Sequence, residues 1–254
     1  MRTWSFTKGH GTENDFVLLL DRDDVLRLGP AEVRFLCDRH AGIGGDGVLR
    51  AVQAQHIPEW DGDGSLWFMD YRNADGSVAE MCGNGVRVFA KLLVEHDLVG
   101  HDPVEQGRGE RGLGDLVIPI ATRDGLKEAT MLPDGRVRVA MGQVSVATGG
   151  ETVTVTTADG QRHAARPAEV GNPHAVSFLD ELSHLPLEVA PAYPSERFPD
   201  GVNLEFVSLL GPQHIAMRVH ERGVGETRSC GTGTVAAAEV ARLQVGDRSP
   251  LPVT

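Results

Sequence analysis

Basic residues are in deficit: 24 Lys and Arg stand against 36 Asp and Glu, for a formal charge of -12. A surface of that sign repels a phosphate backbone, so nucleic acid is not an expected partner. Cysteine is scarce. The three present, Cys37, Cys82 and Cys230, lie far apart and form neither a disulfide framework nor a paired CxxC zinc or redox motif, so reduced thiols are expected. The start of the chain has no apolar core of a signal peptide, and its longest early apolar run is Phe16 to Leu20. A cytoplasmic protein with no membrane association is the expectation. There is no P-loop, HExxH or GxSxG, which removes the common phosphoryl-transfer, zinc-protease and serine-hydrolase readings. The ten histidines show no metal spacing, and no metal site is expected.

What is present is an ordinary globular composition, 41% hydrophobic and 24% charged over 254 residues, enough for one large domain or two of usual size. Short β-branched and apolar stretches predict strands at Phe16 to Leu20, Val48 to Val52, Leu66 to Tyr71, Leu116 to Ile120, Val137 to Met141, Val153 to Thr157 and Leu204 to Leu210. Asp159-Gly160 and Gly211-Pro212 read as hairpin turns. A helix is expected over Pro30 to His40, with Val33, Leu36 and Cys37 on one face and Gly42 past its end.

Two further helices each begin directly after a cysteine set among small residues. Cys82-Gly83-Asn84-Gly85 leads into Val86 to Leu93, and Cys230-Gly231-Thr232-Gly233 leads into Thr234 to Val240. This repeat is too widely spaced for a solenoid and suits two similar domains carrying one thiol each. His101 to Asp115 reads as a charged, Gly-rich surface loop. A boundary near residue 126 divides the chain into domains of residues 1–126 and 127–254.

A helix N-terminus favours a thiolate, because unpaired N–H groups and about half a positive charge gather there. The same N–H groups can hold a carboxylate, and flanking glycines let an anion approach the backbone closely. An amino acid bound between two such helix ends would have a thiol near each face of its α-carbon. One sulfur would remove the proton while the other delivers one, inverting the centre. The plain alternative makes each cysteine a small buried residue at a turn. Cys37, with no glycines or helix start beside it, is assigned to that alternative. Gly42-Ile43-Gly44-Gly45-Asp46-Gly47 fits G-x-G-x-x-G, but with a helix before it and a strand after, the reverse of a dinucleotide site. It reads as a backbone turn.

Six blocks, in order, resemble the diaminopimelate epimerase family, enzymes interconverting LL- and meso-diaminopimelate on the bacterial route to lysine and peptidoglycan. They are Lys8 to Phe16, Cys37 to Gly47, Arg72 to Ser77 running through Glu80 to Arg87, Gly171 to Val176, Gly201 to Phe206, and Glu221 to Thr227 leading to Cys230-Gly231-Thr232-Gly233. The resemblance implies an α/β fold of two pseudo-symmetric domains. Each would be a curved or barrel-like mixed or antiparallel sheet around a central helix, with the active site in the interdomain cleft. It implies that Cys82 and Cys230 are the proton donor and acceptor. Asn14, Asn73, Gly83, Asn84, Asn172, Asn203, Glu221, Arg222, Gly231 and Thr232 would bind substrate, and His174 and Glu221 would tune the thiols. It also implies a homodimer and no cofactor, pyridoxal phosphate included, since a pre-organised carboxylate site makes that electron sink unnecessary.

From the residues alone, Asn172-Pro173 reads equally as a turn, Asn14 as a cap, and Glu221-Arg222 as a solvated pair. Family members carry further strands after the second thiol helix, where this sequence stops at Thr254. That difference would leave sheet edges unpaired and weaken the dimer contact. Two other readings stand beside the epimerase: a two-cysteine racemase of another amino acid such as proline or hydroxyproline, and an inactive amino-acid-binding relative.

Overall fold

A computed structural model describes residues 3–100, 116–147, 149–211, 213–246 and 251–254. The loop expected over His101 to Asp115 lies outside them. The chain divides into two compact units after Ala140. The boundary expected near residue 126 falls inside a strand, Gly125–Met131, whose hairpins extend the first sheet to Val139.

In the first unit, β1 (Thr7–Gly11), β2 (Asn14–Leu20), β3 (Gly47–Gln53), β4 (Trp67–Asn73), β5 (Leu116–Thr122), β6 (Gly125–Met131) and β7 (Val137–Val139) form one mixed sheet in chain order. β2 with β3 and β4 with β5 are parallel, and the other pairs antiparallel. Strand alternation sends Phe16 and Leu18 to one face and Val17 and Leu19 to the other, and both faces are covered. On the first face lies α2 (Gly83–Glu95), which touches all seven strands, so the sheet curls around it. Phe89 and Leu93 are fully buried there against Leu49, Met69, Ile118 and Ile120, each contributing roughly 2–3 kcal/mol.

The second face carries α1 (Pro30–Cys37), through Val33 and Cys37. This helix ends three residues short of the expected His40. Asp38 takes an extended backbone, and its Oδ1 accepts from the N–H groups of His40 and Ala41 at 2.7 and 2.8 Å, which turns the chain away. Gly42 is therefore not a helix stop. A Cβ there would lie 1.8 Å from the Phe35 carbonyl oxygen, so glycine serves close packing against the helix end.

The second unit has its own sheet, in the order β14 (Gly225–Thr227), β13 (His214–Glu221), β12 (Asn203–Gly211), β11 (Pro173–Phe178), β10 (Arg162–Glu169), β8 (Ser145–Val146), with β9 (Val153–Thr156) also paired to β10. Asp159-Gly160 makes the expected turn, Gly160 having φ +82°. Strands β12 and β13 form the expected hairpin at Gly211, while Pro212 lies outside the described residues. Val176, Val207 and Ile215 face α3 (Gly231–Val245) through its small residues Ala236, Ala237 and Ala241, whereas Ala175, Leu204 and Phe206 face a separate core with Leu187 and Phe198. The last residues do not leave all of β13 bare. Ile215 N donates to Pro252 O, Thr254 N to Ile215 O and Met217 N to Thr254 O, at 3.1, 2.9 and 2.8 Å. Among the described residues no helix is long and apolar enough to cross a membrane.

Candidate active site

Each unit presents a cysteine as the N-cap of its central helix. Cys82 Sγ accepts from Gly85 N, and Cys230 Sγ from Gly233 N, both at 3.4 Å. The carbonyls repeat the match, Cys82 O accepting from Val86 N and Cys230 O from Thr234 N. A sulfur in the cap position faces the positive end of the helix dipole. The glycines of the second motif have a steric cause as well. A Cβ on Gly233 would stand 2.6 Å from Glu205 Oε1 and 3.3 Å from Cys230 Sγ.

Around Cys82, which is half-buried, three asparagine-centred contacts converge. Asn14 begins β2 and is not a helix cap. Its Nδ2 donates to Asp46 Oδ2 at 2.9 Å, which leaves Oδ1 facing Cys82 Sγ at 3.6 Å and Asn84 Nδ2 at 3.4 Å. Asp46 is itself held by the Asp15 N–H and by Arg39, and Arg39 also grips both oxygens of Asp15. Arg39, aided by Lys8, holds the Asp15 carboxyl well below the usual carboxylate range. The buried Asn84 accepts from Arg87 and from the Thr12 hydroxyl. Thr12 and Glu13 form the β1–β2 turn at φ +53° and +65°. These are strained values for residues with a Cβ, and Arg87 Nη2 donates to Thr12 Oγ1 at 3.1 Å to hold the turn. Asn73, at the end of β4, spends its Nδ2 locally on Ser77 Oγ at 3.0 Å.

Cys230 is 6% exposed. Burial raises its thiol pKa well above the ordinary cysteine value, and the carboxylates of Glu221 and Glu205 push it the same way. Glu221 hydrogen-bonds the thiol and accepts from Thr227 Oγ1, while burial raises its own carboxyl. Thr232 Oγ1 lies 3.4 Å from Cys230 Sγ and accepts from Asn172 Nδ2, also at 3.4 Å. His174, fully buried, has Nε2 2.8 Å from Asn172 Oδ1 and Nδ1 2.7 Å from Glu205 Oε1. His174 therefore reaches Cys230 through Asn172 and Thr232. Asn172 is both a turn residue, since Val170 N donates to its carbonyl, and a member of this cluster. Asn203 takes the Arg222 N–H at 3.0 Å and donates to Pro173 O. Glu221 and Arg222 do not form a solvated pair: Glu221 turns inward, and the exposed Arg222 sends Nη1 to Asp200 O at 3.1 Å.

The supporting residues Asp46, Arg39, Arg87 and Glu205 were given no role by sequence reasoning. All four lie inside the recognised blocks, but Asp46 is absorbed there into a glycine turn. Glu205 occupies an inward position of an apolar strand, where a charged residue is itself the signal of a buried partner.

The two-unit architecture is shared with solved racemase and epimerase structures. It aligns with a probable proline racemase from Agrobacterium radiobacter at a TM-score of 0.64 and 16% identity, covering 97% of this chain and 78% of that one. A hydroxyproline epimerase from Agrobacterium vitis aligns at 0.63 and 14%, covering 96% and 77%. At such identities the likeness is one of fold, and it sets the structural class. Sequence goes further. The family model described as diaminopimelate epimerase matches residues 6–147 and 167–253. The diaminopimelate epimerase of Streptomyces coelicolor is 50% identical over 239 residues, 92% of this chain and 76% of the relative, and that of Corynebacterium glutamicum is 46% identical over 252 residues, 96% and 84%. The chain belongs to the diaminopimelate epimerase family.

Proposed function

We propose that this protein interconverts LL- and meso-diaminopimelate by proton transfer between two cysteines without a cofactor. The observation that carries the reading is the matched pair of thiol caps, one per unit, each at the head of a helix enclosed by or packed on its sheet. In this reading one thiol acts on each face of the reacting α-carbon. Its carboxylate takes the N–H groups of Gly83-Asn84 and Gly231-Thr232, where helix dipoles stabilise the negative charge that develops as the proton leaves. One sulfur acts as thiolate base, the other as thiol acid, and their roles exchange for the reverse reaction.

The diaminopimelate end that does not react is also an amino acid and needs partners of both signs. Arg222 binds its carboxylate, while Glu221 and carbonyl oxygens from among the substrate-binding residues Asn14, Asn73, Asn172 and Asn203 accept from its ammonium group. What supports this for Asn14 is its committed Nδ2, which leaves only the carbonyl oxygen to present. Glu221, bonded to the thiol of Cys230, and His174, linked to it through Asn172 and Thr232, tune the second thiol. The reading places the enzyme in the cytoplasm as a homodimer, which light scattering on the purified protein tests.

The direct test is incubation with LL-diaminopimelate in heavy water. Meso product with solvent deuterium at one α-carbon is expected. Binding without exchange would leave only an amino-acid-binding protein, and exchange with proline or hydroxyproline in its place would move the substrate assignment.

A further inference from the structure

Arg87 follows Cys82 on α2 and is half-buried. Burial pushes its guanidinium pKa down, and the nearby Cys82 sulfur works against that shift. Among the described residues no carboxylate pairs with it. Its Nη2 is spent on two neutral oxygens, Thr12 Oγ1 at 3.1 Å and Asn84 Oδ1. Burying a cation without a counter-ion costs free energy, so charge pairing is not what keeps an arginine here.

Both partners lead to Asn14. Thr12 and Glu13 form the left-handed turn that runs directly into that residue. Gly9 and Gly11, on the α2 side of β1, bring the turn down onto the helix: a Cβ would stand 2.9 Å from Val88 Cγ1 at Gly9 and 3.0 Å from Asn84 O at Gly11. Asn84 lies one turn before Arg87 on the same side of α2, and its Nδ2 donates to Asn14 Oδ1 at 3.4 Å. Charge fixes the direction of each amide. A guanidinium only donates, so the end of Asn84 that meets Arg87 is the carbonyl, and its NH2 turns to Asn14. The Asp46 carboxylate, ion-paired to Arg39, only accepts, so the end of Asn14 that meets it at 2.9 Å is the NH2. The Asn14 carbonyl oxygen is then the end that lies 3.6 Å from Cys82 Sγ. These two constraints come from different elements, one from α2 and one from the residue before β3, and they agree.

We propose that Arg87 is a positioning residue for Asn14: from α2 it holds the turn before that residue and the amide beside it, so that the Asn14 carbonyl oxygen stands next to Cys82 in a single orientation. Asp46 fixes the same side chain from its other end, and neither charged group has to touch substrate. Removing the guanidinium releases the strained turn and the Asn84 amide together. The second unit has no counterpart of this device, since the residue that matches Arg87 after Cys230 is Val235. The effect on substrate rests on the proposed part of Asn14 in binding diaminopimelate; the orientation of the two amides does not.

The test compares Arg87→Met, which keeps an unbranched stem without donors, with Arg87→Lys, which restores a cation. Arg87→Met should raise KM for diaminopimelate about 10-fold or more with a smaller change in kcat, and Arg87→Lys should recover part of the loss. In an Asn14→Ala background the same Arg87→Met change should leave KM within about 2-fold, because its effect passes through a side chain no longer there. Nitrogen–proton NMR of the side-chain amides, assigned by their loss in Asn14→Ala and Asn84→Ala, should show both groups exchanging slowly with water in the wild-type protein and fast in Arg87→Met. A wild-type KM in folded Arg87→Met, or an equal rise in both backgrounds, overturns the proposal. So do fast-exchanging Asn14 and Asn84 amides in the wild-type protein, whether or not the variants fold. Slowly exchanging amides in a wild-type protein that does not epimerise diaminopimelate would sink the function and leave the positioning of Asn14 standing.

Discussion

Cys82 caps α2 as Cys230 caps α3: each sulfur accepts the backbone N–H three residues further on, at 3.4 Å in both. The two sites differ in what surrounds that shared geometry. Cys82 is half-buried with Asn14 and Asn84 beside it, while Cys230 is buried among Thr232, Glu221 and the His174–Glu205 pair.

That difference predicts an order of alkylation. Iodoacetamide under native conditions should modify Cys82 first, because Cys230 and Cys37 are 6% and 5% exposed and burial raises both thiols. Peptide mass spectrometry over a time course reads the order. Labelling of Cys37 as fast as Cys82 would contradict it.

The glycines of the two motifs should respond unequally to Ala. At Gly233 the new methyl meets Glu205 Oε1 at 2.6 Å, so Gly233→Ala is expected to destabilise by about 1–3 kcal/mol and to displace the thiol. At Gly85 the nearest atom is a Leu49 methyl at 3.3 Å, a contact a flexible side chain relieves. Helix propensity there favours Ala by about 1 kcal/mol, so Gly85→Ala should be near neutral in stability. Chemical denaturation of both variants checks this; equal losses would argue that the close approach of Glu205 is not what selects glycine.

Much of this arrangement was legible from the residues, and the reasons are particular. Apolar β-branched runs such as Val48 to Val52 announced β3, and small residues after each cysteine announced both helix starts. Strands β6 and β10 were not announced. Their sequences, GLKEATM and RHAARPAE, alternate only weakly, and pairing with neighbouring strands rather than intrinsic preference makes them extended. In the site, Asn14 was legible as a member of a block. Its orientation was not, because that depends on Asp46, brought to it when β2 pairs in parallel with β3.

Asp46 should therefore matter to substrate binding without touching substrate. Asp46→Ala frees the Asn14 amide to rotate and removes a charged acceptor, a loss of about 1.5–3 kcal/mol in such bonds. KM for diaminopimelate is expected to rise roughly 10- to 100-fold. A steady-state assay with unchanged KM would remove Asp46 from the account.

Cys37 supplies a pH signature of the fold rather than of the site. Burial pushes its thiol up to about 11 from an ordinary 9.0. Below about pH 9 the folded and unfolded chains both keep the proton, and the contribution to stability is fully present. Between about pH 9 and 11 only the unfolded chain loses it, so stability falls as pH rises, by about 1.4 kcal/mol per pH unit. Urea unfolding across that window should show a steeper loss for wild type than for Cys37→Ala. Parallel slopes would mean that Cys37 ionises as freely in the fold as outside it.

The central claim is that Cys82 and Cys230 act together as base and acid on one carbon, and deuterium uptake in the single-cysteine variants tests it most directly. In heavy water with LL-diaminopimelate, wild-type protein should form deuterated meso isomer, and Cys82→Ala and Cys230→Ala should each form none. Net inversion by either variant at a rate comparable to wild type would contradict the two-cysteine mechanism.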